Sequence, residues 1–360
     1  MTIRLPRVLT PLVVGATLAA GLAAQTPSSP VRWADVLAQP DAWYATPDAR
    51  RLADIVLQYQ KPVGGWPKDI DMTLPPAQAP PERLAAGATI DNGATTTQVR
   101  LLARVQRHTG EARYRKAARR GLTYLLDAQY PNGGWPQVFP LEAGYSRHIT
   151  FNDNAMVSVM RLLDEVSRGE RDFGFVEPAM RTRSAAAVSR GIDIVLRAQI
   201  NVNGRLTAWC AQHDEVTLEP RKARTYEHPS LSGMETVGIT RFLMERPDSR
   251  EPRLATAIDA AVAWLKSAQL TGWRLEQRQV PGTPRGWDRI MVQDAKAPPL
   301  WARFYDIKTN TPIYSGRDGI IKERLEDIEY ERRTGYAWVG DWPRALVEVE
   351  YPRYREGSQK

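Results

Sequence analysis

A glutamine recurs through this chain at positions 60, 129, 199 and 269, at intervals of 69, 70 and 70 residues. Each closes a similar phrase. Leu57-Gln58-Tyr59-Gln60 precedes Gly64-Gly65-Trp66-Pro67, and Leu126-Asp127-Ala128-Gln129 precedes Gly133-Gly134-Trp135-Pro136. Weaker copies are Leu196-Arg197-Ala198-Gln199 and Leu265-Lys266-Ser267-Ala268-Gln269 with Gly272-Trp273. Three nearly equal intervals imply one repeated supersecondary unit. The apolar spacing before each glutamine is three or four, as in Tyr114, Ala118, Gly121, Leu122 and Leu125, which is helical. Second helices are expected over 95–107, 154–165 and 231–244, so each unit holds two helices and a long loop. Helix pairs repeated in this way bury their apolar stripes by stacking into an α/α toroid or a solenoid. The expected class is therefore all-α, with long loops. Beyond Gln269, Pro281, Pro284, Pro298 and Pro299 break long helices, and Trp301 to Asp306 reads as a short strand in an irregular or β cap. A helix is expected to resume over 318–333. The loop tryptophans have two readings, packing beneath a turn or standing out as platforms for a sugar face.

The N-terminus carries Arg4 and Arg7, an apolar stretch from Val8 to Leu22, and Ala23-Ala24. This is the layout of a signal peptide over 1–24. A Pro/Ser-containing tether follows over 25–42, then one large domain over 43–352 and a tail over 353–360. The full chain has a formal net charge of +8, and removing the signal leaves about +6. A basic excess outside the cytoplasm, periplasmic or secreted, disfavours nucleic acid and favours an anionic polysaccharide as partner. No later stretch is apolar for the roughly 18 residues of a membrane span, and a monomer is the default. Cys210 is the single cysteine; the alternatives are a small buried residue or a nucleophile served by His213.

Polar residues concentrate where the repeat helices begin. Asp91-Asn92-Gly93-Ala94-Thr95 opens one helix and Asn152-Asp153-Asn154 another. Asp and Asn are preferred N-caps, which is the plain reading. Their separation of about one repeat also allows both carboxylates to meet at one mouth, a plausible seat for a hard cation such as calcium. The densest loop runs from Thr207 through Asp214 and from Pro220 to Glu235, and it includes Lys222, Arg224, Tyr226 and Glu227. Such a loop is not needed for helical packing and is the natural place for a site. In the cap, Arg303 and Arg317 flank Tyr305 and Tyr314, and guanidinium groups suit uronate carboxylates.

Taken together, Gly64 to Lys68, Asp91 to Thr95, Gly133 to Gln137, Phe151 to Asn154, Thr207 to Asp214, Ala223 to Glu227 and Pro229 to Glu235 resemble the family ten pectate lyases. The resemblance runs from about Trp43 to Tyr351. It implies a partial α/α toroid that cleaves polygalacturonate by calcium-assisted β-elimination. By similarity Asp91 and Asp153 would hold Ca2+, Arg224 would be the Brønsted base, and Arg303 and Arg317 would grip substrate carboxylates. Asn92, Thr95, Tyr226 and Glu227 would lie against substrate. Arginine is ordinarily charged, whereas a base must be neutral, so Lys222 stands as a second candidate. Three other readings share the scaffold. They are an inverting glycoside hydrolase using Asp153 and Glu235, a periplasmic polyuronate-binding protein without catalysis, and, last, a terpenoid cyclase, for which no Asp-rich acid motif is present.

Overall fold

The interval of 70 residues takes physical form in two side chains per repeat. Gln60 Nε2 donates to the Gly64 carbonyl (2.7 Å) in its own loop and to the Ala117 carbonyl (2.9 Å) in the next repeat. Gln129 does the same to Gly133 and Ala187, and Gln199 to Thr207 and Ala257. The tryptophans close the helix ends. Trp66 Nε1 donates to Val56 O, Trp135 to Leu125 O, Trp209 to Val195 O and Trp301 to Leu265 O, at 2.7–2.8 Å. All four indoles are fully buried. These four therefore pack beneath turns and are not sugar platforms, whereas Trp273 of the fourth phrase opens a strand and is 37% exposed. Glycine is required at the head of the loop: a Cβ on Gly133 (φ +103°) would lie 2.2 Å from Arg190 O, and one on Gly64 (φ +106°) 2.5 Å from Arg120 O.

The computed structural model describes residues 31–357. The expected signal peptide (1–24), the first part of the tether and the end of the tail lie outside the described residues. The helices run α1 (Pro47–Gln58), the short α2 (Pro81–Ala85), α3 (Thr96–Thr109), α4 (Ala112–Asp127), α5 (Ala155–Ser167), α6 (Pro178–Ala198), α7 (Glu235–Met244), α8 (Pro252–Ser267), α9 (Tyr330–Gly335) and α10 (Tyr351–Glu356). Successive pairs α3/α4, α5/α6 and α7/α8 pack on one another. One row is formed by α3, α5 and α7, and a second by α1, α4, α6 and α8. The three expected second helices are thus present, the last beginning four residues later than expected.

The all-α expectation does not hold. Among the described residues twelve strands form six two-stranded antiparallel sheets, so the class is mixed. Most are two-residue ladders such as Ile149–Thr150 with Gln212–His213, in which buried loops give their backbone groups partners. The longest is a seven-residue hairpin, Trp273–Gln279 with Trp287–Gln293. Neither strand alternates buried with exposed positions, so no period-two pattern marks it in the sequence. The single strand expected over Trp301 to Asp306 forms instead as two two-residue strands, Trp301–Ala302 and Phe304–Tyr305, which pair with different partners. The helix expected over 318–333 is not formed: that segment holds the strand Ile321–Lys322, a 3-10 turn at Leu325–Asp327 and only the start of α9. None of the described helices is long and apolar enough to cross a membrane.

Replacing Trp135 by Phe removes the indole donor and leaves the Leu125 carbonyl buried without a partner. An unfolding free energy lower by about 2–3 kcal/mol is expected, read as a lower urea midpoint at unchanged slope.

Candidate active site

Three helix N-termini, those of α3, α5 and α7, supply the acidic residues. The turns Asp91–Gly93 and Asn152–Asn154 pack against each other. Each contains a left-handed residue at its centre, Asn92 (φ 50°) and Asp153 (φ 49°). The repeat therefore aligns Asp91 with Asn152 and Asn92 with Asp153: the first pair is buried, Asn92 is exposed and Asp153 is partly so. The two carboxylates occupy successive positions of one turn and not the same position. Neither α3 nor α5 receives a side-chain cap bond, so the plain capping reading fails for both aspartates.

Asp91 is 3% exposed. Its Oδ2 accepts from Gln137 Nε2 (2.6 Å) and from Lys68 Nζ, and its Oδ1 accepts from the Asn92 amide (2.9 Å). Lys68 and Gln137 each stand two residues after a repeat tryptophan. Sequence reasoning missed both, although their equivalence within the Gly-Gly-Trp-Pro motifs was a usable signal. Burial opposes the Lys68 charge, but Asp91 outweighs it and lifts the ammonium above its ordinary range.

Asp153 accepts from Asn152 Nδ2 (2.7 Å) and from Arg303 Nη2 (2.9 Å). The same Arg303 nitrogen reaches Glu235 Oε1 (2.7 Å), and that oxygen also accepts from the Asp153 amide (3.3 Å). Arg303 is 4% exposed; burial works against its charge, and Glu235 more than restores it, holding the guanidinium well above its ordinary value. Its Nε is buried without a hydrogen-bond partner. The two carboxylates meet at one nitrogen and are too close for the roughly 6.5–9.5 Å gap of an inverting hydrolase. That alternative has no geometric basis.

Tyr336, which the sequence reading did not single out, joins this cluster to the loop. Its ring has Arg303 on it at 4.8 Å and Arg224 at 5.5 Å, and its hydroxyl donates to Glu227 Oε1 (2.7 Å). Arg224 makes a forked pair with Glu227, Nε to Oε2 at 2.7 Å and Nη2 to Oε1. Burial opposes the Arg224 charge, and Glu227 overcomes it, so the guanidinium is held above its ordinary value. Burial likewise raises the Tyr336 hydroxyl well above the usual phenol range.

The expected substrate contacts separate into two groups. Asn92 and Arg317 are exposed, and Arg224 is partly so. Thr95 is wholly buried, its hydroxyl accepting from Trp66 N and donating to Thr89 O. Tyr226 and Glu227 are buried too: Arg224 (5.1 Å) and Arg332 (4.9 Å) lie over the Tyr226 ring, and its hydroxyl accepts from Arg332 (2.9 Å). These three residues build the site and offer no free surface to a chain of sugars. Arg317 pairs with Glu331 (2.9 Å), which also holds Arg332. The loop that carries Arg317 rests on Lys222 and Thr225 through Gly319.

The sequence profile described as pectic acid lyase matches residues 60–347. Among solved structures, a family 10 polysaccharide lyase from Cellvibrio cellulosa aligns with a TM-score of 0.74 at 36% identity, covering 88% of this chain and 97% of its own. A mutant family 10 polysaccharide lyase from the same organism, in complex with trigalacturonic acid, aligns with a TM-score of 0.74 at 35% identity, covering 88% of this chain and 98% of its own. No curated protein matches.

Cys210 and His213 do not form a nucleophilic pair. His213 Nε2 accepts from the Cys210 amide (3.0 Å) and Nδ1 bonds Leu218 O (2.8 Å), which fixes a neutral ring. Burial raises the Cys210 thiol and lowers His213 to about 4. Beside them His148, Asp214 and Glu215 bring ligand atoms within 4.8 Å of one another, but Arg147 and Arg221 already neutralise the carboxylates. Because the unfolded histidine titrates near 6.5 and the folded one near 4, the unfolded state takes up the proton first as pH falls. The contribution of His213 is complete above pH 6.5 and declines by about 3 kcal/mol toward pH 4. Urea unfolding at pH 7.5 and 4.5 should show this loss, and His213→Asn should reduce the difference.

Proposed function

The chain belongs to the pectic acid lyase family and is a pectate lyase, and on that premise we propose that it cleaves α-1,4-linked polygalacturonate by calcium-assisted β-elimination where Asp91, Asp153, Arg224 and Arg303 gather near Tyr336. The observation that carries this reading is the packing of two acidic left-handed turns together, with Arg303 and Arg224 sharing the Tyr336 ring beside them. Trigalacturonic acid bound to a family 10 relative supports the substrate class. The signal layout of 1–24 supports action in the periplasm or outside the cell.

Calcium seeks six to eight hard oxygens. Asp91 and Asp153 supply carboxylates, and the Gln137 Oε1 beside Asp91 is a buried amide oxygen without a partner, so the donor set fits. Bound at these residues, the ion would supply charge neutralisation for a uronate carboxylate whose negative charge grows as the C5 proton leaves.

The chain's own groups divide the remaining work. Arg303, 4% exposed and with its Nε shut off from solvent, holds Asp153 and Glu235 in place and does not itself reach a substrate carboxylate. Arg317, 64% exposed in its side chain, can leave Glu331 for a second uronate. Arg224 accepts the C5 proton, the electron pair released there forms the C4–C5 double bond and expels the C4 glycosidic oxygen, and that oxygen takes a proton from water. Arg224 must first lose the proton that Glu227 helps it keep. Positive charge from Arg303 and from a divalent cation opposes that hold, and an alkaline optimum is the expected signature.

Purified protein with polygalacturonate and calcium should generate ultraviolet absorbance from the unsaturated uronate, and a chelator should abolish it. Reducing ends without absorbance would point to hydrolysis. Arg224→Ala should lower kcat by at least about 10³-fold while trigalacturonate still binds. Glu227→Gln removes the partner that raises the Arg224 pKa, so the rising limb of the kcat/KM profile should shift to lower pH. A stationary limb would exclude Arg224 as the base.

A further inference from the structure

Lys68 lies close to the point where a metal would enter. It follows Trp66-Pro67 in the first repeat loop, and its ammonium sits on Asp91 Oδ2, the oxygen that Gln137 also holds. A buried carboxylate without a cation is costly, so in the ligand-free chain Lys68 is the counter-ion that keeps Asp91 tolerable. A divalent ion and an ammonium cannot share one carboxylate oxygen at contact distance, because their charges repel at close range in a site partly screened from water. Binding a divalent ion at Asp91 therefore requires Lys68 to move.

A destination is already built. Asp69 Oδ2 lies 3.9 Å from the Lys68 ammonium, within reach of rotation about the terminal bonds. The Asp69 carboxylate is fixed on both sides, Oδ1 accepting from Asn92 Nδ2 (2.9 Å) and Oδ2 from Arg83 (3.1 Å). Asn92 belongs to the turn that carries Asp91, so the two acceptors for Lys68 are held in one local frame.

We propose that Lys68 is a mobile counter-ion that leaves Asp91 for Asp69 when a divalent cation binds, and that this pair sets the cation affinity of the site. The inference rests on reading Asp91 as a metal ligand. Lys68 is then a positioning residue, and its effect is on the metal equilibrium itself. A monovalent ion gains too little from Asp91 to displace an ammonium of equal charge, so the arrangement also selects for divalent ions.

The test is isothermal titration of the ligand-free protein with calcium chloride, in wild type and variants whose thermal unfolding is intact. Asp91→Asn should abolish binding; undiminished binding there would overturn the ligand reading itself. Lys68→Met should tighten calcium at least tenfold, with Lys68→Gln as a second variant, whereas unchanged or weaker binding would sink the counter-ion role. Asp69→Asn should weaken calcium several-fold in the wild-type background and have no effect when combined with Lys68→Met. An equal Asp69→Asn effect in both backgrounds would mean that Asp69 acts through its field alone, and would overturn the relay.

Discussion

An α-helix ends with carbonyl groups that have no partner in the helix, and this protein answers that need with the same device four times. The indoles of Trp66, Trp135, Trp209 and Trp301 each donate to a carbonyl of the helix that precedes them. The glutamine of three of these repeats then binds both its own loop and the next repeat. Loop, helix end and neighbouring repeat thus become one hydrogen-bonded unit. Because the loops are fixed, the N-termini of α3, α5 and α7 that follow them are fixed as well, and the acidic turns inherit that order.

The site is a set of charges that compensate one another. Asp91 has Lys68, Asp153 and Glu235 share Arg303, and Glu227 holds Arg224. Two guanidinium groups lie over the Tyr336 ring while its hydroxyl donates to Glu227. An anionic polymer and a divalent cation each find groups already paired with partners of the right sign. Binding then exchanges partners and does not bring bare charges out of water, which limits the desolvation cost of assembling the active complex.

The repeat was legible because Gln and Trp recur at fixed spacing, and the second helices were legible from apolar periodicity. The two-residue ladders were not: they are consequences of loops meeting in space and leave no pattern over so few residues. At the site, Asp91, Asp153 and Arg224 were readable as motif residues and Arg303 as a cap arginine beside Tyr305, and the structure brings Asp153, Arg303 and Arg224 together around Tyr336. What they touch was not readable. Thr95 carries a hydroxyl suited to substrate, yet a buried clasp between Trp66 and Thr89 consumes it. Tyr336 lies more than a hundred residues from Glu227 and stands in no motif, so only the fold reveals that it joins the two arginines.

The fourth tryptophan adds a lesson about tolerance. In the first two repeats ten residues separate the indole from the carbonyl it serves, in the third fourteen, and in the fourth thirty-six, because the hairpin 273–293 is inserted before Trp301 takes the slot. The closing bond keeps the same length. Loop-closure entropy rises only slowly with loop length, so the slot defines an anchored port through which chain can be added without disturbing the helices. The repeat loops are thereby free to diverge in length and chemistry, and a lineage could remodel them while leaving the helical rows intact.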